Sequence, residues 1–181
     1  DMVTMAKGVA SGYAAISCTV TTEAVFDMFK DPEDARMDYF RDISTFGGCT
    51  AGPAAALVNM DIIEREGLLD NVVEQGEYLR GRLNGLMEKY DVIGDVRGKG
   101  LFAGFELVKD RETKEPVDES LPVAIGAHCM QNGVIIGRTN RSFEEYNNTI
   151  CLSPALIATQ ADIDKIVDAL DNALAELAPN A

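Results

Sequence analysis

Lys7 is the residue of this 181-residue chain that is best placed to do covalent chemistry. It follows a short apolar run, residues 2–6, that is typical of a buried strand, and it lies between the small residues Ala6 and Gly8. A lysine that loses solvent at the mouth of such a strand has a lowered pKa, and Schiff-base formation requires a neutral amine. The small neighbours would let a flat ring come close. The alternative interpretation is an ordinary solvated lysine at a strand end.

A glycine-rich stretch, residues 44–53 (STFGGCTAGP), could bind an anion such as phosphate. Its glycines allow backbone N–H groups to point at one place, and the N-terminus of an alanine-rich helix follows it. The hydroxyl of Thr45 adds another donor. We expect Pro53 at the first helical position, where its missing N–H would be unpaired in any case. The alternative is a flexible entry to the helix that binds no ligand.

Other chemistries find little support in the sequence. His128 is the single histidine, so the chain cannot build a multi-histidine metal site, and we interpret it as a structural residue. The four cysteines form no CxxC pair, which argues against a zinc knuckle. Residues 98–100 (GKG) lack the glycine spacing of a dinucleotide fingerprint, and Ser11 is one position too late for a nucleophile elbow. We therefore expect no metal site and no serine triad.

The charge of the chain restricts its partners. With 16 basic and 30 acidic residues, its formal net charge is −14, which repels nucleic acid and anionic membrane surfaces. No apolar run approaches the length of a membrane span. Four cysteines without a recognisable signal peptide are typical of reduced thiols, so we expect a cytoplasmic protein. Because the chain begins at Asp1 and moves at once into apolar sequence, we expect it to be a piece of a longer protein.

Hydrophobic periodicity predicts the elements that position these residues. Residues 2–6 and 14–21 are expected to form short buried strands, and the helix after Pro53 is expected to be well buried because it has apolar residues on most sides. From about residue 68 the pattern predicts helix, strand, strand, helix, strand, strand, helix, with the helices on one side of a small sheet. The predicted segments there include strands at 101–108, 134–136 and 149–152, a polar loop at 138–148, and helices at 69–90, 120–132 and 159–177.

Four motifs, in this order along the chain, resemble those of the class III aminotransferases, enzymes that use pyridoxal 5′-phosphate. Residues 1–8 (DMVTMAKG) are similar to the family's segment with the Schiff-base lysine, and residues 44–48 (STFGG) to its threonine–aromatic–glycine stretch. Residues 97–107 resemble a strand motif of its small domain, and residues 153–157 (SPALI) resemble the stretch before its last helix. Residues 40–50 are most similar to the taurine–pyruvate and ω-amino acid–pyruvate branch.

The resemblance implies an α/β protein with the type I pyridoxal-phosphate transferase fold. Residues 1–67 would be the C-terminal part of the large cofactor-binding domain, and residues 68–181 the connecting helix with the α+β C-terminal small domain. Lys7 would bind the cofactor, pyridoxal 5′-phosphate, as a Schiff base. Thr45 and Phe46 would also bind the cofactor, with Thr45 at its phosphate, across the interface of a homodimer or higher homo-oligomer.

The sequence departs from the family pattern at two places. Cys49-Thr50 replaces the His-Pro of many members, and Cys151 stands where several members place an arginine that anchors the substrate carboxylate. Arg138 and Arg141, just upstream, are the cations available to replace it, because arginine forms bidentate contacts with carboxylates.

The implied activity is transfer of an amino group from an ω-amino acid, taurine or amine donor to pyruvate or a similar keto acid. We expect the chain by itself to be inactive, because other parts of the family's pocket lie upstream of the lysine. Related aminomutase or decarboxylase chemistry remains open, since the same lysine would serve it. A non-catalytic acidic α/β interaction module, in which Lys7 is only a surface lysine, is the other alternative.

Overall fold

The computed structural model describes residues 1–30, 33–40, 43–143 and 145–178, and the chain divides into two units, Asp1–Glu66 and Gly67–Ala181. Each unit has helices and strands of its own. The predicted mixed α/β class is therefore confirmed. The assignment of the two units to the end of a large domain and to a small domain stays a prediction.

The first unit is built on an antiparallel hairpin. β1 (Met2–Ala6) pairs with β2 (Ser17–Thr21), and Met2 lies opposite Thr21. A 3-10 turn, Lys7–Ala10, begins the connection between the two strands. A short helix, α1 (Glu23–Phe26), follows β2, and a longer one, α2 (Ala51–Arg65), completes the unit. The hairpin and α2 are the elements that place Lys7 and Thr45.

Three expectations for this unit are wrong. Both strands are largely exposed, with 64% of Met2 accessible to solvent, and α2 buries only Gly52 and Ala56. Periodicity predicts which side chains share a face, but it does not show what covers that face. Since α2 begins at Ala51, Pro53 occupies the third helical position rather than the first. Its missing N–H would have no intrahelical partner there either, so the helix tolerates it.

The second unit follows the predicted order of elements. They are α3 (Leu68–Lys89), β3 (Ile93–Lys99), β4 (Phe102–Leu107), α4 (Ser120–Gln131), β5 (Gly137–Arg138), β6 (Thr149–Leu152) and α5 (Gln160–Leu177). The four strands form one antiparallel sheet in the order β3-β4-β6-β5. α3 packs on β3 and β4, and α5 packs on both α3 and α4. Of the helices in the described ranges, none is long and apolar enough to cross a membrane.

The core of this unit lies between one face of the sheet and the helices. Alternate residues of β4 are buried as predicted: Ala103, Phe105 and Leu107 expose at most 6% of their surface. The predicted stripe of α3 is buried from Gly76 onward, whereas at its start Leu69 is exposed, Val72 is half-buried, and Leu68 is buried in place of Leu69. The helices contribute Leu79, Leu83, Leu86, Ile125, Ile163, Val167, Leu170 and Leu174 to the same core.

Two predicted features at helix ends have different outcomes. The capping box of α5 is confirmed, since Thr159 Oγ1 accepts from the N–H of Asp162 at 3.3 Å and the Asp162 carboxylate accepts from the N–H of Thr159 at 2.9 Å. The strand predicted at 134–136 is wrong. Gly133 (φ 76°) ends α4 in a left-handed turn, and the N–H of Val134 bonds to the carbonyl of Cys129 at 2.9 Å. Because Val134 completes the helix cap, the strand pairing begins three residues later.

A polar ladder joins α3 to α5. Arg82 forms ion pairs with Asp164 and, at 2.8 Å, with Asp168. Lys89 lies 2.6 Å from Asp171. Each pair is partly exposed, and an exposed ion pair contributes little by itself. The ladder nevertheless sets which acidic residues of α5 meet which cations of α3.

Candidate active site

Lys7 lies where β1 passes into the 3-10 turn. Its φ of 50° is in the left-handed region, which costs a residue with a Cβ roughly 1–2 kcal/mol. The expected loss of solvent is not observed, because Lys7 and the strand before it are exposed. A Cβ added at Gly8 would meet no atom of the described residues within 4 Å, so these residues leave the space beside the lysine open. An accessible amine on a strained backbone is a feature that clusters at functional sites.

Helix α2 holds this turn through Asn59. The amide Nδ2 of Asn59 donates to the carbonyl oxygens of Gly8 and Val9, each at 3.0 Å. The N–H of Ser11 also donates to the Gly8 carbonyl, at 3.1 Å. Asn59 is not among the candidate residues predicted from the sequence. An amide within an apolar helical run is nevertheless a signal, because a partly buried amide needs hydrogen-bond partners.

Thr45 and Phe46 lie in a tight turn that precedes α2. The N–H of Gly47 donates to the carbonyl of Ser44 at 3.0 Å, and the N–H of Cys49 donates to the carbonyl of Phe46 at 3.0 Å. The side chains of Thr45 and Phe46 are exposed, and α2 begins without a side-chain cap. An exposed hydroxyl thus precedes an uncapped helix N-terminus, an arrangement that suits an anion.

Part of the stretch that resembles the taurine–pyruvate branch cannot be placed, since Arg41 and Asp42 lie outside the described residues. The turn at Thr45 belongs to the same unit as Lys7. Among the described residues, no backbone hydrogen bond joins Thr45 to Lys7.

The two candidate substrate arginines lie in the second unit. Arg138, predicted within a loop, is instead in β5, because the pairing with β6 extends to Arg138 opposite Ile150. It is half-buried, and its Nη1 donates to the carbonyl of Thr139 at 3.0 Å. Arg141 is exposed in the connection between β5 and β6. Glu144 of that connection lies outside the described residues.

Two buried asparagines fix the connection that carries Arg141. Asn147 accepts from the N–H of Ser142 at 3.0 Å and donates to the Glu119 carboxylate at 2.7 Å. Asn148 donates to a carbonyl of β4 at 2.6 Å. Neither asparagine is predicted from the sequence, because a polar residue within a polar loop gives no periodic signal. The backbone N–H of Ser142, the residue after Arg141, is therefore held by a buried amide.

The motif at residues 97–107 forms a structural hairpin. Arg97 contacts Asp95 and lies 3.0 Å from the Glu106 carboxylate, and hydrogen bonds to these carboxylates raise the pKa of its guanidinium. Gly98 has a φ of 154°, and a Cβ there would lie 2.4 Å from the carbonyl oxygen of Phe102. Glycine is thus required at this position of β3 by the close approach of the neighbouring strand.

Known proteins resemble the chain over nearly its whole length. The sequence profile of the family Aminotransferase class-III matches residues 1–174. The hypotaurine/taurine–pyruvate aminotransferase of Paracoccus denitrificans is 67% identical over 98% of this chain and 39% of its own length. The taurine–pyruvate aminotransferase of Bilophila wadsworthia is 64% identical over 96% of this chain and 38% of its own.

Solved structures agree with the sequence relatives. An aminotransferase of Bacillus anthracis, 37% identical, matches 97% of this chain and 39% of its own with a TM-score of 0.90. A PLP-bound amine transaminase from an uncultivated Pseudomonas species, 31% identical, matches 98% of this chain and 38% of its own with a TM-score of 0.86.

These matches bear directly on the predicted fold and family. The chain spans 38–39% of the length of these relatives. The predicted transferase fold is confirmed by the likeness to solved transaminases, and the predicted family by the profile match. The chain belongs to the class-III aminotransferases.

Proposed function

We propose that this chain is part of an aminotransferase that moves the amino group of taurine, or of a related ω-amino acid or amine, to pyruvate or a similar keto acid. The observation that carries the proposal is the 62–67% identity, over 96–98% of the chain, with relatives named as taurine–pyruvate or hypotaurine/taurine–pyruvate aminotransferases. Because the chain spans 38–39% of their length, the activity is proposed for the whole protein.

The residues of the first unit fit pyridoxal 5′-phosphate. The exposed amine of Lys7, with open space beside Gly8, would bind the aldehyde carbon of the cofactor. The hydroxyl of Thr45, before the uncapped N-terminus of α2, would donate to the phosphate of a cofactor across the homodimer interface, and the ring of Phe46, 85% exposed, is available for an apolar contact. When bound, this cofactor supplies an electron sink for the bonds of the substrate carbon that bears the amino group.

The restraint on the turn that carries Lys7 supports its role. Lys7 lies on a turn in which the next two carbonyl groups, those of Gly8 and Val9, accept hydrogen bonds from Asn59. The backbone position from which the lysine amine extends is therefore fixed. The amine, when not bonded to the cofactor, would remove a proton from the substrate carbon and return it, as a positioned general base and acid. A flexible surface lysine would lose the advantage of a fixed position.

We place recognition of the substrate's acidic group on Arg138 or Arg141. A guanidinium binds a carboxylate or sulfonate through paired N–H donors. Arg138 uses one N–H for the carbonyl of Thr139 and has others available. Arg141 is exposed on a connection fixed by Asn147. The family resemblance also supports a homodimer or higher homo-oligomer, and a cytoplasmic location stays a prediction.

The proposal is tested by Lys7→Ala and Thr45→Ala in the full-length protein, with Lys99→Ala, at an exposed lysine of β3, as the matched control. The assay measures alanine formed from taurine and pyruvate, which also separates transamination from aminomutase or decarboxylase chemistry. Borohydride should fix the cofactor onto the peptide that contains Lys7. We expect Lys7→Ala to abolish both signals, and Thr45→Ala to keep the fixation but lose cofactor faster on dialysis.

The control should behave as the unsubstituted protein, because Lys99 is exposed on β3 and has no part in the proposed contacts with cofactor or substrate. Near-normal alanine formation by Lys7→Ala, or fixation of the cofactor on another peptide, would refute the assignment. Full cofactor retention in Thr45→Ala would refute the role of Thr45.

A further inference from the structure

We propose that Asn59 is a positioning residue for Lys7: its side-chain amide fixes the turn that presents the lysine amine, and thereby couples the amine to helix α2. The proposal rests on the proposed role of Lys7 as the cofactor-binding lysine. It concerns a residue that contacts neither cofactor nor substrate and acts through the backbone next to Lys7.

The turn needs an anchor because its own backbone is unfavourable. Both Lys7 and Ser11 have a φ of 50°, in the region that residues with a Cβ disfavour. Within the turn, the N–H of Ser11 donates to the carbonyl of Gly8 at 3.1 Å, and that of Tyr13 donates to the carbonyl of Ala10 at 3.0 Å. A strained backbone of this kind persists only where contacts with the surrounding structure hold it in place.

Asn59 supplies the missing restraint. One amide group donates to two consecutive carbonyls, those of Gly8 and Val9, each at 3.0 Å. Two bonds from one amide fix the orientation of the peptide planes that directly follow Lys7. Gly8 has no Cβ and is the residue of the turn with the greatest freedom, so the amide restrains the position that could move most. Ala10, the last residue of the turn, is 1% exposed, so the end of the turn is buried.

Helix α2 is itself fixed to the same part of the chain at a second point. A Cβ added at Gly52 would lie 3.3 Å from the carbonyl oxygen of Ala15, so the helix backbone lies close to the segment that leads into β2. The N-terminus of α2 follows the turn that carries Thr45. A displacement of α2 would therefore also move the turn that carries Lys7, because Asn59 bonds the helix to that turn.

This arrangement predicts a specific kinetic effect. Loss of the amide would leave the lysine present and exposed, but would broaden the range of positions of its amine. Steps that need the amine at one place would slow, because a fixed geometry is what makes a bound base effective. Substrate affinity, which we assign to arginines of the other unit, would change little.

The test uses Asn59→Asp, which keeps the shape of the side chain but replaces the donor by a carboxylate facing two carbonyls. Asn59→Ala is the second variant, in case the aspartate variant does not fold. The chain offers a matched control in Asn71→Asp, since Asn71 in α3 donates in the same manner to the carbonyls of Leu156 at 2.7 Å and Ala158 at 3.1 Å.

Two measurements are made on the full-length protein. Hydrogen exchange without cofactor should show that the N–H groups of Ser11 and Tyr13 exchange about tenfold faster in the Asn59 variants. With cofactor, kcat should fall by about tenfold with KM for pyruvate unchanged. Asn71→Asp should leave both quantities unaltered.

Unchanged exchange in both Asn59 variants, or a fall in kcat no larger than that of Asn71→Asp, would overturn the proposal. Failure of the proposed function has a different signature. In that case Lys7→Ala itself retains alanine formation, whatever the exchange of the turn.

Discussion

Replacement of Gly76 by alanine should destabilise the second unit, although alanine is the better helix former. A Cβ at Gly76 would lie 2.5 Å from the carbonyl carbon and oxygen of Gly100 and 2.7 Å from its Cα. These are backbone atoms of the β3–β4 turn, and they cannot rotate away as a side chain can. A Cβ at Gly100 would itself lie 2.6 Å from Val72, so the approach of α3 and the turn is close from both sides.

The magnitude follows from two opposing effects. A Gly→Ala change in the interior of a helix stabilises by about 1 kcal/mol. The new methyl group must move roughly 1 Å relative to the turn to reach ordinary van der Waals contact, and overpacking of a close-packed site costs about 1–3 kcal/mol, occasionally more. We expect a net loss of about 1–2 kcal/mol in the free energy of unfolding.

The same helix provides the control. Within the part of the chain that the structure describes, a Cβ at Gly81 or Gly85 would meet nothing within 4 Å, so Gly81→Ala should stabilise by about 0.5–1 kcal/mol. The assay is urea unfolding of the full-length protein, together with hydrogen exchange of peptides from α3. Equal stability of Gly76→Ala and Gly81→Ala would show that α3 and the turn separate freely, and that the close contact is not required.

Two further predictions concern the arginines and the last helix. Arg138→Ala or Arg141→Ala should raise KM for pyruvate by about tenfold or more, because a lost charged hydrogen bond weakens binding by about 1.5–3 kcal/mol; unchanged KM in both variants would place the anchor elsewhere. Hydrogen bonds from the side chain and backbone of Thr159 lower the pKa of Asp162. The contribution of the ionised Asp162 carboxylate to the free energy of unfolding is therefore complete above the unfolded pKa near 4 and is lost as the pH falls through the lowered pKa of the folded protein. Thr159→Ala should therefore reduce the acid dependence of urea unfolding, whereas parallel pH profiles would contradict the argument.

Features determined by local pattern could be predicted from the sequence. The alternation in β4, the stripe of α3 and the Thr159–Asp162 capping box each depend on residues a few positions apart. The predicted strand at 134–136 fails because a second local rule competes with the apolar run. Gly133 ends α4 in a motif whose next residue bonds back to the helix, so Val134 serves the cap and not the sheet.

Features that depend on distant parts of the chain could not be predicted. The sequence places Lys7 after a strand, but not the contact from Asn59, whose acceptors lie 50 and 51 residues away. Asn147 likewise has its acceptor, Glu119, 28 residues upstream. The burial predicted for β1 and α2 fails for a related reason. An apolar face indicates that burial is favourable there, but it does not show which other element packs on that face.

The polar ladder between α3 and α5 has a consequence for recombination among related enzymes. Arg82 and Asp164, and likewise Lys89 and Asp171, are 82 residues apart in sequence. A chimera with its crossover between residues 90 and 159 inherits α3 from one parent and α5 from the other. If the other parent lacks the cations of α3, three aspartates of α5 face one another unneutralised, which is unfavourable although each single pair is weak. Shuffled libraries should therefore keep more active members when both helices come from the same parent.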